Sequence, residues 1–274
     1  MRKQMLCFVF LLVFNTLWGQ NKISGIVLGE ASKLPIEYVN IGIAGKNIGT
    51  VTDENGKFHL SIDYQFEEDS LLFSCIGYES YSLKISYIKE GHIVNLKEKQ
   101  YDLNEVTVRP RVFKERILGV TTKSKMMTAG FSENHLGYEC GILMKAKKQS
   151  RIKRVDVNIA RCDYDTIFYR LNIYEVRGKN EFENILREPI YVNVLKKDIK
   201  KNTLQIDLAS RNIVVDGNFL VTLEHIKDVG EGNSLSVLFP VSLKQKTYYR
   251  KTSQGDWGSV PIGISLSVVA DVER

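Results

Sequence analysis

The 274-residue chain has few of the residues that enzymes and disulfide-stapled domains depend on. Its four cysteines are Cys7, Cys75, Cys140 and Cys162. None forms a CxxC pair, and the three past residue 20 are an odd number, so a disulfide scaffold is excluded. A Cys140–Cys162 bridge stays open beside the favoured reading, in which both are buried free thiols. His59, His92, His135 and His225 are the only histidines. None has a second ligand at metal-binding spacing. His225 adjoins Glu224, and adjacent strand residues point to opposite faces. There is no GxSxG elbow and no Gly-rich phosphate loop before a helix. Past residue 19 no run is long and apolar enough to cross a membrane. Tryptophan is nearly absent too: Trp257 is the only one beyond Trp18.

The first nineteen residues do carry one apolar run. Arg2 and Lys3 precede Leu6–Phe14 (LCFVFLLVF), followed by NTLWGQ. A basic start, a short apolar stretch and a small residue form the layout of a secretory leader, with cleavage expected near Gly19. Export follows, to the periplasm or the outer membrane, and nucleic acid is excluded as a partner.

Charge is uneven. Residues 21–111 hold 10 basic and 13 acidic side chains, a net of −3; residues 112–274 hold 26 and 19, a net of +7. The leader adds +2, which gives the total of +6. The densest basic cluster is KAKKQSRIKR at 145–154, with KKDIKK at 196–201. An exported basic face can meet anionic lipid or acidic glycan. The favoured reading is plainer: a solvated strand edge on which lysine discourages pairing.

Short alternating runs fill the rest. In 20–108, Val39, Ile41 and Ile43 alternate with polar or small residues, as do Phe58, Leu60 and Ile62, and Tyr81, Leu83 and Ile85. Period two at this density, broken by Gly, Pro and Asn, predicts a small antiparallel sandwich. Residues 109–135 are small and polar and read as a linker with room for one ordered strand. In 136–274, IFYRLNIYEV places Ile167, Tyr169, Leu171 and Ile173 on one face. Similar runs continue to Ile262–Val268. Eight to ten strands in a larger β-sandwich or jelly-roll-like domain are expected. The fold class is all-β.

Ordered motifs in the first unit go further. They are Ser24-Gly25-Ile26-Val27, Pro35-Ile36, Gly49-Thr50, Thr52-Asp53, Gly56 and Phe58, then Phe73-Ser74-Cys75-Ile76-Gly77-Tyr78 and Leu103–Val108. Together they resemble the carboxypeptidase-like regulatory domain of Bacteroidetes envelope proteins. That resemblance covers about a third of the chain. It implies a transthyretin-like seven-stranded sandwich that is non-catalytic. In the family this module accompanies zinc carboxypeptidases or the front of TonB-dependent transporters. Neither larger partner is expected in these 274 residues: they hold no HxxE pair with a distant histidine, and those after the module are too few for a barrel.

Within this module the run DENG (53–56) looks at first like a ligand set. Asp53 can instead close a turn on backbone N–H groups, and Gly56 can take a left-handed conformation, as in a hairpin with a bulge. Asp53, Asn55 and Gly56 are therefore read as structural. Asp163 and Asp165 in CDYDT are too few for calcium and read as a loop turn. A thiol nucleophile needs a positive neighbour and a base; Arg161 could be the first for Cys162, but the sequence names no base. Trp257, with Tyr248 and Tyr249, could stack on a sugar, but the favoured reading is an aromatic that anchors the core or a loop. No cofactor or metal is expected. The reading is a non-enzymatic envelope protein for binding, docking or assembly, partnered by an outer-membrane or surface complex. The alternatives are a glycan-binding accessory protein and a transporter accessory subunit. A small hydrolase on the second unit ranks behind them.

Overall fold

The computed structural model describes residues 20–100, 112–132, 135–230 and 236–274. The leader, including Cys7, and the motif Leu103–Val108 lie outside them. Among the described residues there are strands and four short 3-10 turns but no α-helix. No helix is long and apolar enough to cross a membrane, a statement that does not bear on β-barrels.

The first unit has seven strands: β1 (Gln20–Gly29), β2 (Asn40–Ile43), β3 (Gly49–Val51), β4 (Lys57–Asp63), β5 (Ser70–Ser74), β6 (Tyr81–Lys84) and β7 (His92–Leu96). One sheet has the order β4-β1-β7 and the other β3-β2-β5-β6. Alternation sets their facing sides. Ile23, Val27, Phe58, Ile62 and Val94 from one sheet meet Ile41, Ile43, Leu71 and Phe73 from the other in a single core. Phe58 and Phe73 pack edge to face across it at 5.7 Å. This is the seven-stranded sandwich expected from the sequence.

The DENG turn differs in topology from the expected hairpin. Asp53 Oδ1 accepts the N–H groups of Asn55 and Lys57, each at 2.8 Å. Gly56 sits at φ +71°. A Cβ there would stand 2.7 Å from the Val27 carbonyl oxygen. Yet β3 pairs with β2 and β4 pairs with β1. The turn is an arch that carries the chain from one sheet to the other, not a hairpin. Turn chemistry is local and legible; the partner of each flanking strand is not.

The second unit begins with β8 (Phe113–Gly119), β9 (Thr128–Phe131), β10 (Glu139–Met144), β11 (Ser150–Asn158), β12 (Arg161–Cys162), β13 (Thr166–Gly178), β14 (Glu181–Asn184) and β15 (Ile190–Leu195). It continues with β16 (Thr203–Asp207), β17 (Val214–Val215), β18 (Phe219–His225), β19 (Val237–Ser242), β20 (Thr247–Arg250), β21 (Gly258–Val260), β22 (Gly263–Ile264) and β23 (Leu266–Glu273). A large sheet has the order β14-β13-β18-β10-β20-β21, with β15 also on β13. Facing it is the sheet β16-β11-β23-β8, with a smaller one around β19. Their inner faces share one core, which includes Ile142, Leu171, Ile173, Val221, Val155, Val268 and Phe239.

Two expectations change here. Residues 113–119 are not linker: β8 pairs with β23 along its whole length, and β9 pairs with β19. Their alternation is short and masked by charge, which is why the stretch reads as polar. The basic cluster at 145–154 is not a strand edge either, because β11 has partners on both sides. The β11–β23 register shifts between Ile152 and Arg154, marking a bulge at Lys153. Lys153 pairs with Glu115 and Asp271, and Arg154 with Asp156.

Candidate functional site

The large sheet of the second unit has two different faces. One is the apolar face already described, carrying Tyr169, Leu171 and Ile173. On the other, strand alternation presents Arg170, Asn172 and Tyr174 from β13, Thr222 and Glu224 from β18, Glu139 from β10, and Arg250 from β20. Four of these fall in one rank. Arg170 is opposite Glu224, Glu224 is opposite Glu139, and Glu139 is opposite Arg250. The order across the sheet is thus plus, minus, minus, plus.

The rank is buried. Arg170 and both glutamates are at most 1% exposed. Burying charges is costly unless each is paired and hydrogen-bonded. Here the partners are in place. Arg170 Nε donates to Glu224 Oε2 at 3.0 Å. Arg250 Nε donates to Glu139 Oε2 at 2.7 Å. Glu139 Oε1 accepts from Asn172 at 2.9 Å, from Tyr174 at 2.8 Å, and from Thr222. Asn172 also donates to Glu224 Oε2 at 2.7 Å. Glu224 Oε1 has no hydrogen-bond partner and lies 3.7 Å from Arg250 Nη2. The two carboxylates are pushed apart. Burial raises Glu139 above the usual carboxylate range. Burial also opposes ionisation of Glu224, but Arg170 and Arg250 outweigh it and hold that group below its usual range.

The first unit covers this rank. Arg170 Nη1 donates to the Tyr38 carbonyl at 2.7 Å and Nη2 to Asn40 Oδ1 at 2.6 Å. Tyr38, at φ +53°, turns its ring onto Phe168 and Tyr191 at 5.4 and 5.3 Å. Tyr38, Val51 and Ile226 form a small apolar cluster between the units. The loop 252–254 lies flat on the β2–β3 pair. A Cβ at Gly42 or Gly49 would come within 2.5 Å of the Ser253 carbonyl oxygen. The loop is pinned by Gly45 N–H on the Gln254 carbonyl at 3.0 Å and by Gln254 Nε2 on Ser74 Oγ at 2.7 Å. At the rim, Lys227 pairs with Glu54 of the DENG turn. So the turn that looked like a ligand set contributes one charge to the contact between units. Beside the rank a cleft of about 330 Å³ remains, lined by Ser74–Tyr78 of the first unit and by Arg170, Tyr174, Phe182 and Arg250 of the second. Glu139 and Glu224 do not line it.

The expected site residues are dispersed relative to this arrangement. Trp257 packs edge-on against Tyr174 and Phe182 at 5.6 and 5.2 Å, and the Arg250 guanidinium sits 5.2 Å from its ring. Tyr248 meets the same Phe182 at 5.4 Å. Tyr249 points the other way, into the sandwich core. Trp257 and Tyr248 therefore share a face, and Tyr249 does not join them. Cys75, Cys140 and Cys162 are free thiols. Burial raises Cys140 and Cys162, which opposes a nucleophilic role. Asp163 accepts from Arg161 at 2.8 Å and from Ser236 Oγ at 2.7 Å, so it ties down a loop. His59 is exposed, and His225 is buried against Phe131 and Tyr169, on the face opposite Glu224.

The four-charge rank was not found in the sequence. Its signal is present in part: Glu139 and Arg170 each stand alone between apolar or aromatic neighbours, in YEC and YRL, and Glu224 lies between Leu223 and His225, whereas Arg250 adjoins Lys251. That signal marks buried charge without showing which strands meet.

Comparison with known proteins fits this division. The model of the CarboxypepD_reg-like domain matches residues 23–108. A TonB-dependent receptor P39 of Formosa agariphila is 33% identical over 108 residues, 38% of this chain. The chain spans about 10% of that receptor's length. Among solved structures, the major pilin subunit BcpA of Bacillus cereus, as its D312A variant, aligns over 92% of this chain and 69% of its own at 11% identity and TM-score 0.20. An infectious bursal disease virus Gt strain structure aligns over 93% and 64% at 9% identity and TM-score 0.24. Likenesses at those TM-scores carry no argument. The family match coincides with the first sandwich and its core: residues 23–108 are a CarboxypepD_reg-like domain.

Proposed function

We propose that this protein is a non-catalytic docking or assembly component of a bacterial envelope, exported by its leader. In it the CarboxypepD_reg-like unit is held in one orientation by the second sandwich. The observation that carries this reading is the use made of the buried rank. Catalytic acids are aimed at a substrate position. Glu139 and Glu224 are instead consumed by Arg170, Arg250, Asn172, Tyr174 and Thr222, and both are fully buried. The split in their acidities is the pattern of an acid–base pair, but a substrate in the neighbouring cleft would not reach them. The likeness to part of a TonB-dependent receptor supports the envelope setting. Trp257 is half-buried against Tyr174, Phe182 and Arg250, which favours a packing role over a sugar platform.

The test is cell fractionation with crosslinking of the tagged full chain, beside the Arg170→Met variant. The chain should fractionate with the envelope and crosslink to a discrete envelope protein. The variant, whose first unit is loosened, should lose that crosslink. A chain that stays in the cytoplasm, or a crosslink indifferent to Arg170, would refute the proposal.

A further inference from the structure

The polar sheet face is only half covered. The first unit sits over the end that carries Arg170, Glu224, Glu139 and Arg250. At the other end the same strands continue outward. On β10 the alternation Glu139, Gly141, Leu143 leads to Lys145, and on β20 Arg250 and Tyr248 lead back to Lys246. Between β19 and β20 the turn Leu243–Lys246 stands beside them, with Leu243 72% exposed. Together with Pro261 these residues enclose a groove of about 400 Å³.

Its charge is one-sided. Lys145, Lys244 and Lys246 line it, and no acidic residue does. All three lysines are exposed, and none makes an ion pair among the described residues. Other basic residues of the same cluster behave differently, since Lys153 and Arg154 are neutralised by carboxylates. Three unpaired cations around a concave floor raise the local concentration of anions. The floor adds the Tyr248 ring, whose edge contact with Phe182 fixes its orientation. An aromatic floor suits the apolar face of a pyranose.

We propose that this groove binds an acidic saccharide, with its anionic groups on Lys145, Lys244 and Lys246 and a sugar ring against Tyr248. The shape separates this from other anionic partners. A lipid surface needs a flat or convex contact, whereas this one is concave and of the size that holds small ligands. An acidic peptide adding a strand needs an open edge, but β10 and β20 are paired on both sides, and the edge strand β21 lends none of its residues to the groove. The inference deepens the docking reading by naming a ligand class, and rests on that reading only for the envelope setting.

The test is calorimetric titration of the isolated full chain with hexagalacturonate, a sulfated dextran oligosaccharide, phosphatidylglycerol vesicles and, as neutral control, maltohexaose. Saturable binding to the acidic sugars, weakened by salt, and none to maltohexaose is the expected result. Lys145→Gln, Lys244→Gln and Lys246→Gln should each weaken it about fivefold, the upper range for exposed ion pairs. The triple Gln variant should abolish measurable binding, while the triple Lys→Arg variant, which keeps charge, should restore it. Lys196→Gln with Lys197→Gln, outside the groove, should change nothing. The inference is overturned if neither acidic sugar binds, if the folded triple Gln variant binds as well as the parent, or if only phosphatidylglycerol vesicles bind. Because the titration uses the isolated chain, such a failure leaves the envelope crosslinking result unaffected.

Discussion

Arg170→Met asks most of the arrangement between the units. Arg170 is 1% exposed and serves three groups at once: the Glu224 carboxylate, the Tyr38 carbonyl and Asn40 Oδ1. Methionine fills similar volume but supplies no donor. Glu224 would then be a buried anion directly opposite Glu139, with Arg250 Nη2 at 3.7 Å as its nearest cation. Removing one partner of a buried ion pair costs about 3–5 kcal/mol, far more than the pair itself contributes. The two orphaned acceptors on the first unit add to that in the same direction, at about 1–3 kcal/mol per lost hydrogen bond, not strictly additive. Urea unfolding of the full chain, followed by tryptophan fluorescence and circular dichroism, reads the loss. A second variant controls for general damage. Arg170→Met with Glu224→Gln removes the stranded charge and should recover most of the stability. A loss below about 1 kcal/mol in the single variant, or a double variant worse than the single, would refute the reasoning.

Four other substitutions or titrations follow from the same contacts. Gly56→Val forces a β-branched residue to φ +71° with its Cβ 2.7 Å from a carbonyl oxygen, and should cost at least about 1–3 kcal/mol in a thermal melt. Asp53→Ala frees the N–H groups of Asn55 and Lys57 and should cost about 1–2 kcal/mol in the same melt, without affecting any metal dependence. Trp257→Ala removes the ring between Tyr174, Phe182 and Arg250, and should lower stability by about 2 kcal/mol, measured by urea unfolding. His225 is depressed below its ordinary value by burial. The unfolded chain therefore takes up that proton first as pH falls. The stability it contributes is full above about pH 6.5 and is lost as pH falls below that. His225→Phe should flatten the melting-temperature profile between about pH 7 and 5.

How much was legible depends on how local each cause is. The first sandwich could be read because its signals lie within a few residues: Ser24–Val27, the Asp53–Gly56 turn, the run Phe73–Tyr78. The inward positions of the second unit were legible for the same reason, since Ile167, Tyr169, Leu171 and Ile173 follow directly from period two. What lies between elements was not. Whether Val51 and Phe58 flank a hairpin or an arch depends on which strands β3 and β4 meet. Likewise Glu139, Arg170, Glu224 and Arg250 come from four strands spread over more than 100 positions of sequence. Only register aligns them. The stretch 113–119 reads as linker because β8 lies at a sheet edge with Lys114, Glu115, Arg116 and Ile117 turned to solvent, so its alternation is weak.

The central claim is that the second sandwich holds the CarboxypepD_reg-like unit in a fixed orientation. Backbone nitrogen-15 relaxation of the full chain tests it directly. One rotational correlation time shared by residues of β1–β7 and of β10–β23 is the predicted result, with separation of the two values in Arg170→Met. Two independent correlation times in the unaltered protein would contradict the account.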